Sequence, residues 1–443
     1  MKIVLIGYTG DRGNWGCQAT SRKLVSFLQR IFPRSSVTTI AIPRPISLDR
    51  LHDHAHGREI LETMSDPSPS AKQLALIEKL VVERHGVQAE SLRHADLVVY
   101  QGEGSVGPSS HLRRATYVLA AYVAAKVWGR PVLSMNQSVY AADKKDGDAL
   151  AGAMRAFRVN ACREPYSCKV AARIGVPSPL LCPDLAFSKD DPAPTQPIKP
   201  PLAGTYFCVT GSALKDLLDP EAFARSVKAI QASTGLYPVF LASRIVDRDI
   251  HRRYFPDSPL FTRDDHPLWV DMKPLLAGAA FTFGGRYHTA VTSLTCGTPV
   301  ILLPGNVPKA EGLGPLLGLE IPVFMPSETE AICTYAVRMQ TEGPKLRLEI
   351  LTAVEKVCQT QEKFAEFLRE WHASNFKHAP SWGVDAFKFN PVPDPDEKLA
   401  SVYHAANWTP TVKLTLIARL RLFLYRLKSN RDSEISQSFS DLP

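Results

Sequence analysis

The sequence predicts an α/β protein of two similar halves, each built on a parallel sheet with helices on its faces. Short apolar runs alternate with longer amphipathic segments, which is the pattern of parallel strands connected by helices. At 443 residues, the chain is longer than a single hydrophobic core usually organises. A proline-rich segment at 189–204 (KDDPAPTQPIKPPLAG) interrupts the alternation, which then starts again. We therefore expect two α/β domains, at 1–188 and 205–347, that face each other across a cleft.

The first domain is predicted to contain four short strands and a helix close to the N-terminus. The apolar runs that predict the strands are 3–6, 37–42, 97–100 and 131–135. The helix is expected from about residue 19 to residue 31, after a glycine-rich loop. A polar region at 44–73 carries His52, His54 and His56. We interpret this region as a solvated loop, with a metal site as the less favoured alternative.

The second domain repeats the same pattern and is followed by an extension. Its predicted strands are 206–210, 239–242, 280–283 and 300–303. The extension, 348–443, begins with a long helical pattern at 349–374 and continues as irregular chain to residue 412. Residues 413–428 form a basic amphipathic pattern, with apolar residues on one helical face between lysines and arginines. Such a helix docks on its own protein or lies on an anionic membrane surface, and the pattern allows both.

The composition is that of a globular protein and excludes several other classes. With 45% hydrophobic and 22% charged residues, the chain is neither disordered nor collagen-like. It has no long apolar run and no secretory signal, so we expect neither membrane spans nor export. The eight cysteines form no CxxC pair, which argues against a zinc site and is consistent with reduced thiols in the cytoplasm. The net charge of +8 favours an anionic partner.

Loops that follow the carboxyl ends of parallel strands are where ligands bind, and the first two such loops carry candidate residues. The loop at 7–16 contains four glycines before a helix, which favours a ligand-binding loop over an ordinary turn. Its spacing is neither GxGxxG nor that of a P-loop. In the second loop, Glu103 lies between Gly102 and Gly104. It is either a general acid or base that faces the cleft or a solvated loop glutamate.

Two further loops each present one cation to the predicted cleft. Arg163 ends an apolar stretch just before a Glu-Pro helix start. It either faces the cleft or forms an ion pair with Glu164 or Asp184 inside its own domain, and the sequence does not separate the two. Lys309 follows the strand predicted at 300–303, where it adds a cation to the rim of the cleft or extends into solvent.

The remaining loop, after the strand predicted at 280–283, combines several functional groups. Two glycines are followed by Arg286 and His288, which open a helix. A guanidinium, a titratable imidazole and the positive end of a helix dipole therefore come together. This combination fits a phosphorylated substrate that needs a proton donor. The alternative is a core histidine that caps the helix.

Taken in order, these loops resemble those of the polysaccharide pyruvyl transferase family. The matching segments lie within about 1–319 and read GYTGDRGNWGCQA, ADLVVYQGEGS, CREPYS with IGVPSPLLCPDLAF, and FGGRYHTAVTSLTCGTPVILLPGN. The chain departs from the family pattern at Cys17, where an acidic residue is common, and at Gly102-Glu103-Gly104, where three glycines are common. These departures leave the acceptor sugar open, and no resemblance extends beyond about residue 349.

The resemblance implies two Rossmann-like domains that face a cleft, the glycosyltransferase-B type of fold. It also implies an enzyme that transfers pyruvate from phosphoenolpyruvate to a sugar of a polysaccharide or its precursor, as a ketal, with release of phosphate. Phosphoenolpyruvate carries about three negative charges near neutral pH, which cations can balance through charge-assisted hydrogen bonds. The residues predicted to bind it are Arg286, Arg163, Lys309, Tyr287 and Gly285. We expect no metal and no cofactor.

The remaining roles concern proton transfer and the acceptor. His288 is predicted to donate a proton to the methylene carbon of the donor or to hold the phosphate, and Glu103 to act as base on the acceptor hydroxyl. The predicted acceptor-binding residues are Gly13, Asn14, Trp15 and Gly16.

Two other functions stay open at this point. A nucleotide-sugar-dependent glycosyltransferase of the same fold would bind a nucleotide diphosphate at the same helix terminus. A non-catalytic, membrane-associated component of polysaccharide assembly would use the segment 413–428. The expected partners are phosphoenolpyruvate and a sugar or glycan acceptor, free or lipid-linked, and not nucleic acid. The expected location is the cytoplasm, at the inner face of the membrane if 413–428 contacts it.

Overall fold

The computed structural model describes residues 1–41, 56–104, 111–141, 144–212, 214, 219–243, 245–389, 392–395 and 397–407. Two parallel sheets covered by helices form the framework of the protein, as the alternation of strands and helices predicts. None of the eight cysteines, which all lie within these ranges, forms a disulfide bond. None of the helices in these ranges is both long and apolar enough to cross a membrane.

The first sheet consists of six parallel strands. They are β1 (Lys2–Tyr8), β2 (Ser36–Ala41), β3 (Leu97–Glu103), β4 (Val132–Gln137), β5 (Val159–Cys162) and β6 (Leu180–Leu181). Their order across the sheet is β2-β1-β3-β4-β5-β6. The strand order reverses between β1 and β3, and in open parallel sheets ligands bind beside the loops at this reversal. The loops that follow β1 and β3 therefore flank the expected site.

The second sheet has five parallel strands and a reversal of its own. The strands are β7 (Tyr206–Ser212), β8 (Tyr237–Ala242), β9 (Leu260–Thr262), β10 (Thr282–Gly285) and β11 (Val300–Leu302). Their order is β11-β10-β7-β8-β9, so the reversal lies between β7 and β10. Between the two sheets, residues 189–204 contain neither helix nor strand.

Helices cover both sheets. They are α1 (Trp15–Ile31), α2 (Gly57–Ser65), α3 (Ala71–His85), α4 (Val87–Arg93), α5 (His111–Lys126), α6 (Lys144–Ala156), α7 (Pro165–Arg173), α8 (Pro220–Thr234), α9 (Ile245–Tyr254), α10 (Lys273–Gly278), α11 (Tyr287–Thr295), α12 (Leu313–Leu317), α13 (Thr329–Thr341), α14 (Gly343–Ala373), α15 (Trp382–Ala386) and α16 (Glu397–Asn407). Helix α1 begins at Trp15, not near residue 19 as predicted, because the side chain of Asn14 accepts a hydrogen bond from the backbone of Gly16 and caps it.

The described part of the polar region 44–73 is not the solvated loop that its composition predicts. Helix α2 lies within it, with Ile60 and Met64 fully buried in the first core. Two apolar residues four positions apart lie on one helical face, which is enough to seat a short helix. His52 and His54 lie outside the described residues. Across the described ranges, no group of histidine, cysteine and carboxylate side chains is arranged to hold a metal ion.

Helix α14 connects the two cores. It begins at residue 343, earlier than the predicted 349, and extends over 31 residues. In its first half, Ile350 and Val354 pack in the core of the second sheet. In its second half, Phe364 and Leu368 pack in the core of the first sheet. The helix therefore contributes apolar contacts to both halves of the protein.

The chain after α14 returns to the first half and contains more helix than the predicted irregular segment. Helices α15 and α16 lie within it. Tyr403 of α16 is fully buried in the first core, and its hydroxyl donates a hydrogen bond to the carboxylate of Glu311 in the second half. The predicted basic helix at 413–428 lies outside the described residues.

Candidate active site between the two sheets

The loop after β1 packs against the second half of the protein. The indole of Trp15 is 1% exposed, and its Nε1 donates a hydrogen bond to the backbone carbonyl of His266 at 2.7 Å. The side chain of Asn14 caps α1. Both residues were predicted to bind the acceptor, and in the structure both side chains make contacts within the protein.

The other two predicted acceptor residues are glycines that permit close approach. A methyl group on Gly16 would lie 2.5 Å from Cβ and Nδ1 of His288, across the boundary between the halves. A methyl group on Gly13 would lie 3.0 Å from Nη1 of Arg263. Because ordinary contacts of a Cβ atom begin at 3.4 Å, Gly16 is what lets α1 pack directly on His288.

Glu103 is the last residue of β3 and is only 8% exposed, so it is not a solvated loop glutamate. Its carboxylate accepts hydrogen bonds from the hydroxyl of Thr9, from Nε2 of Gln101 at 3.1 Å and from the thiol of Cys17 at 3.4 Å. Its backbone φ of 43° lies in the left-handed region, which a side chain adopts only where its surroundings require it. The two positions at which the chain departs from the family pattern, Cys17 and Glu103, are therefore in contact.

Arg163 lies at the end of β5 and is fully buried. Its Nη1 donates to Oδ2 of Asp184 at 2.8 Å, and its Nε donates to the hydroxyl of Ser138 at 2.9 Å. Of the two predicted ion pairs, the structure contains the one with Asp184. The guanidinium also lies 4.6 Å from the ring centroid of Tyr287, which belongs to the second half. Arg163 thus forms an ion pair and faces the interdomain boundary at the same time.

His288, in the first turn of α11, approaches this ion pair from the second half. Its Nε2 lies 3.2 Å from Oδ2 of Asp184 and 3.2 Å from Nη1 of Arg163. Burial alone would raise the pKa of Asp184, but Arg163 and His288 outweigh it and hold that pKa below its ordinary value. Asp184 is therefore an anion that contacts both the guanidinium of Arg163 and the imidazole of His288, and these contacts join the two halves. Its contact with His288 was not predicted.

Arg286 lies beside His288 but is paired within its own half. Its Nη2 donates to both carboxylate oxygens of Asp247 in α9, at 2.7 Å and 2.9 Å. A methyl group on Gly211 would overlap the carboxylate of Asp247, so the glycine gives this side chain its space. The buried Nε of Arg286 has no hydrogen-bond partner among the described residues. Local sequence gave no signal for Asp247.

Lys309 is not a solvated loop lysine, since it is 8% exposed. Its Nζ donates to Oδ1 of Asn306 at 2.5 Å and lies 5.7 Å from the ring centroid of Tyr287. A methyl group on Gly104, next to Glu103, would lie 3.7 Å from this Nζ. Burial and, second to it, the positive charge of Arg163 lower the pKa of Lys309 to about 7.

Gly285 and Tyr287 complete the predicted donor-binding set. A methyl group on Gly285 would lie 2.7 Å from the hydroxyl of Ser212 and 2.9 Å from the carbonyl of Pro304, so the glycine lets the ends of β7, β10 and β11 converge. Tyr287 is 5% exposed, and its buried hydroxyl has no hydrogen-bond partner among the described residues. One buried nitrogen of Arg163, Nη2, is likewise without a partner there.

The structure therefore brings most predicted site residues to one place. Lys309 interacts electrostatically with Arg163, Arg286, Glu103 and Cys17, which come from four separate loops of the two halves. Buried donors without acceptors are uncommon in native proteins, and three of them lie on the residues of this cluster. A cluster that is rich in cations and in unpaired donors can bind a multiply charged anion, and Glu103 lies at its edge.

Comparison with known proteins agrees with this description. The family model of polysaccharide pyruvyl transferase matches residues 14–306, which include the loops described above except the first part of the first loop and the end of the last one. No curated protein matches the chain.

Solved structures are similar over most of the chain. The structure of S. aureus MnaA with UDP has a TM-score of 0.52 at 10% identity, and covers 86% of this chain and 98% of that one. A putative UDP-N-acetylglucosamine 2-epimerase from Listeria monocytogenes has a TM-score of 0.50 at 11% identity, with the same coverage of 86% and 98%. At such identities the likeness concerns the fold alone, and it confirms the predicted pair of Rossmann-like domains of the glycosyltransferase-B type.

Proposed function

Since the chain belongs to the polysaccharide pyruvyl transferase family, a class of enzymes, we propose that it transfers pyruvate from phosphoenolpyruvate to a sugar as a ketal, with release of phosphate. The observation that carries this proposal is the buried cluster of cations and unpaired donors between the two sheets. The positively charged and hydrogen-bond-donating groups of this cluster suit a donor that carries about three negative charges near neutral pH.

The donor is bound by groups from both halves. Arg163 offers Nη2, Arg286 offers Nε and Tyr287 offers its hydroxyl, all of which are buried donors without a partner among the described residues. His288 is held between Arg163 and Asp184, a position that suits contact with the phosphate. Phosphate contact is one of the two roles that the sequence suggests for it.

On the acceptor side, Glu103 is the base that removes a proton from the attacking hydroxyl. Four hydrogen-bond donors, the three above and the hydroxyl of Ser21 at 3.5 Å, hold the carboxylate in one orientation at the end of β3. The acceptor is a sugar of a polysaccharide or its precursor. The predicted membrane contact through 413–428 and the lipid link of the acceptor remain predictions, because that segment lies outside the described residues.

The test is phosphate release from phosphoenolpyruvate, measured with a panel of p-nitrophenyl glycosides of common hexoses and N-acetylhexosamines as acceptors. We expect Arg286→Ala and His288→Ala each to lower turnover at least a hundredfold, because each removes a hydrogen-bonding contact to the donor. Arg225→Ala is the matched control, since this arginine is 65% exposed on α8 and should leave turnover unchanged. Wild-type turnover in both site variants would show that the assignment is wrong.

Ligand binding distinguishes the proposed function from that of a nucleotide-sugar-dependent glycosyltransferase. Phosphoenolpyruvate should raise the melting temperature of the protein, because a ligand that binds only the folded state stabilises it. Stabilisation by UDP-sugars or GDP-sugars, without any by phosphoenolpyruvate, would favour the alternative.

A single methyl group should also impair this reaction. We expect Gly16→Ala to lower kcat about a hundredfold, because the added Cβ must displace His288, and shifts of about 1 Å in a site cost turnover of that order. Gly343→Ala is the matched control, since a methyl group on this glycine at the start of α14 has no neighbouring atom within 4 Å. Equal turnover of the two variants would argue against a role for the contact between α1 and His288.

A further inference from the structure

Lys309 occupies a central position in the site, where both halves of the protein contribute neighbours. It follows β11, and the stem of its side chain packs over Gly305, where a methyl group would lie 3.1 Å from Cε. The ammonium group reaches towards the end of β3, close to Gly104. In the described ranges of the chain, no carboxylate lies within ion-pair distance of it, and its side chain donates a hydrogen bond only to the amide oxygen of Asn306. A buried lysine that lacks a carboxylate partner is uncommon.

The charged and titratable groups that face Lys309 come from every element around it. They are Glu103 of β3, Cys17 of α1, Arg163 after β5, Arg286 and Tyr287 at the start of α11, and Glu311 before α12. Burial and the two guanidinium groups disfavour the ammonium form, whereas Glu103 favours it. With a pKa of about 7, the amine is populated in both protonation states near neutral pH, as an efficient acid–base group requires.

The imidazole of His288, by contrast, has its Nδ1 edge covered by Gly16 of α1, and its Nε2 lies between Asp184 and Arg163. Only Nε2 can therefore face the donor. The phosphate contact proposed for Nε2 leaves this nitrogen unavailable to protonate a carbon atom. The proton that the methylene carbon of the donor must receive therefore needs another source.

We propose that Lys309 is the catalytic acid that delivers this proton to the methylene carbon of the enol phosphate donor. This inference rests on the proposed function. As a hydroxyl oxygen of the acceptor bonds to the enol carbon, the carbon–carbon double bond opens and takes the proton of Lys309, which turns the methylene into a methyl group. The hydroxyl proton passes to Glu103, and Glu103 and Lys309 return to their starting protonation states by exchanging protons with solvent. The second hydroxyl then displaces phosphate, which leaves with that hydroxyl's proton as hydrogen phosphate.

The proposal distinguishes Lys309 from a cation that only attracts the donor. Lys309→Met removes both charge and proton, whereas Lys309→Arg keeps the charge but cannot release a proton, since guanidinium stays protonated in proteins. We expect both variants to lower kcat by about 10²- to 10⁴-fold, the usual contribution of a general acid. Lys309→Arg should keep the wild-type KM for phosphoenolpyruvate. The alkaline decline of wild-type kcat, which follows deprotonation of the lysine, should be absent from both variants.

The experiment measures kcat, KM and their pH dependence for phosphate release with the same acceptor panel, after thermal melting has shown that the variants fold. Lys309→Ala with added ethylamine serves as an independent check, because an external amine restores a missing acid but not a missing structural contact. Rescue of kcat by ethylamine supports the proposal. Wild-type kcat in Lys309→Arg, or a raised KM with unchanged kcat in Lys309→Met, overturns it. If the wild-type protein releases no phosphate with any acceptor, the proposed function itself is wrong.

Discussion

Replacement of Asp184 by asparagine is expected to destabilise the protein by about 3–5 kcal/mol, because it leaves a buried guanidinium without its carboxylate. Arg163 and Asp184 are both fully buried and are joined at 2.8 Å. An exposed pair of the same residue types serves as the control. Asp264→Asn breaks the contact between Asp264 and Arg248, in which Asp264 is 65% exposed, and should cost less than about 1 kcal/mol.

Chemical denaturation of the Asp184→Asn, Arg163→Met and double variants measures this effect. The free energy of unfolding of the double variant should exceed the value expected from adding the two single effects by at least about 1 kcal/mol, because the double variant no longer contains an isolated buried charge. A loss below about 1 kcal/mol in Asp184→Asn, or strictly additive effects, would contradict the prediction. Turnover should fall together with stability, since Asp184 also contacts His288.

The effect of Asp184 should depend on pH in a defined direction. Its folded-state pKa lies below the ordinary value, so its ionised form stabilises the folded protein fully above about pH 4. This contribution is lost as the pH falls through the lower pKa of the folded state, where the carboxylate becomes protonated. The difference in the free energy of unfolding between the wild-type protein and Asp184→Asn should therefore become smaller as the pH falls below about 4. It should stay constant between pH 5 and about pH 8.

The strands and their loops could be predicted because their signals are local. The run of apolar residues in β1 and the glycines after it are adjacent in sequence, and the carboxyl ends of parallel strands meet at one edge. The pairings of the site are not local. Asp184 contacts Arg163 from 21 residues away and His288 from 104 residues away, and no spacing rule connects them.

The same reasoning explains which contacts of the predicted site residues could not be seen in the sequence. Trp15 follows a glycine-rich loop and is aromatic, so it resembles a ligand-binding residue, yet its ring is buried in the core of the second sheet. Sequence reveals that a residue can contact a ligand, but not that the opposite domain already occupies the position. Arg286 illustrates the same point, because its partner Asp247 comes from a helix 39 residues earlier. In both residues, the contacts of the side chain are set by residues that are distant in sequence.

The carboxylate of Glu103 is expected to be indispensable for turnover. We expect Glu103→Gln to lower kcat by about 10²- to 10⁴-fold, because the amide cannot accept the proton of the acceptor hydroxyl. Binding of phosphoenolpyruvate, followed by thermal shift, should persist, since the contacts assigned to the donor lie on Arg163 and on residues of the second half. Cys17→Ser is the control, because serine keeps a hydrogen-bond donor to Glu103 and should retain turnover within a few-fold. Turnover of Glu103→Gln within threefold of the wild-type protein would exclude the role as base.

The contact between Cys17 and Glu103 allows a sharper form of this test. In the family pattern, an acidic residue is common at the position of Cys17 and a glycine at that of Glu103. In this chain, Sγ of Cys17 lies 3.4 Å from Oε2 of Glu103. A carboxylate at either position would therefore lie at nearly the same point in space. We expect Glu103→Gly to be inactive and the double variant Glu103→Gly, Cys17→Asp to regain at least a tenth of wild-type kcat. Residue 103 has a left-handed backbone conformation, which glycine adopts without strain. The double variant should therefore be at least as stable as the wild-type protein. A double variant that folds but stays inactive would mean that the site requires its base on β3 and not merely a carboxylate at this point.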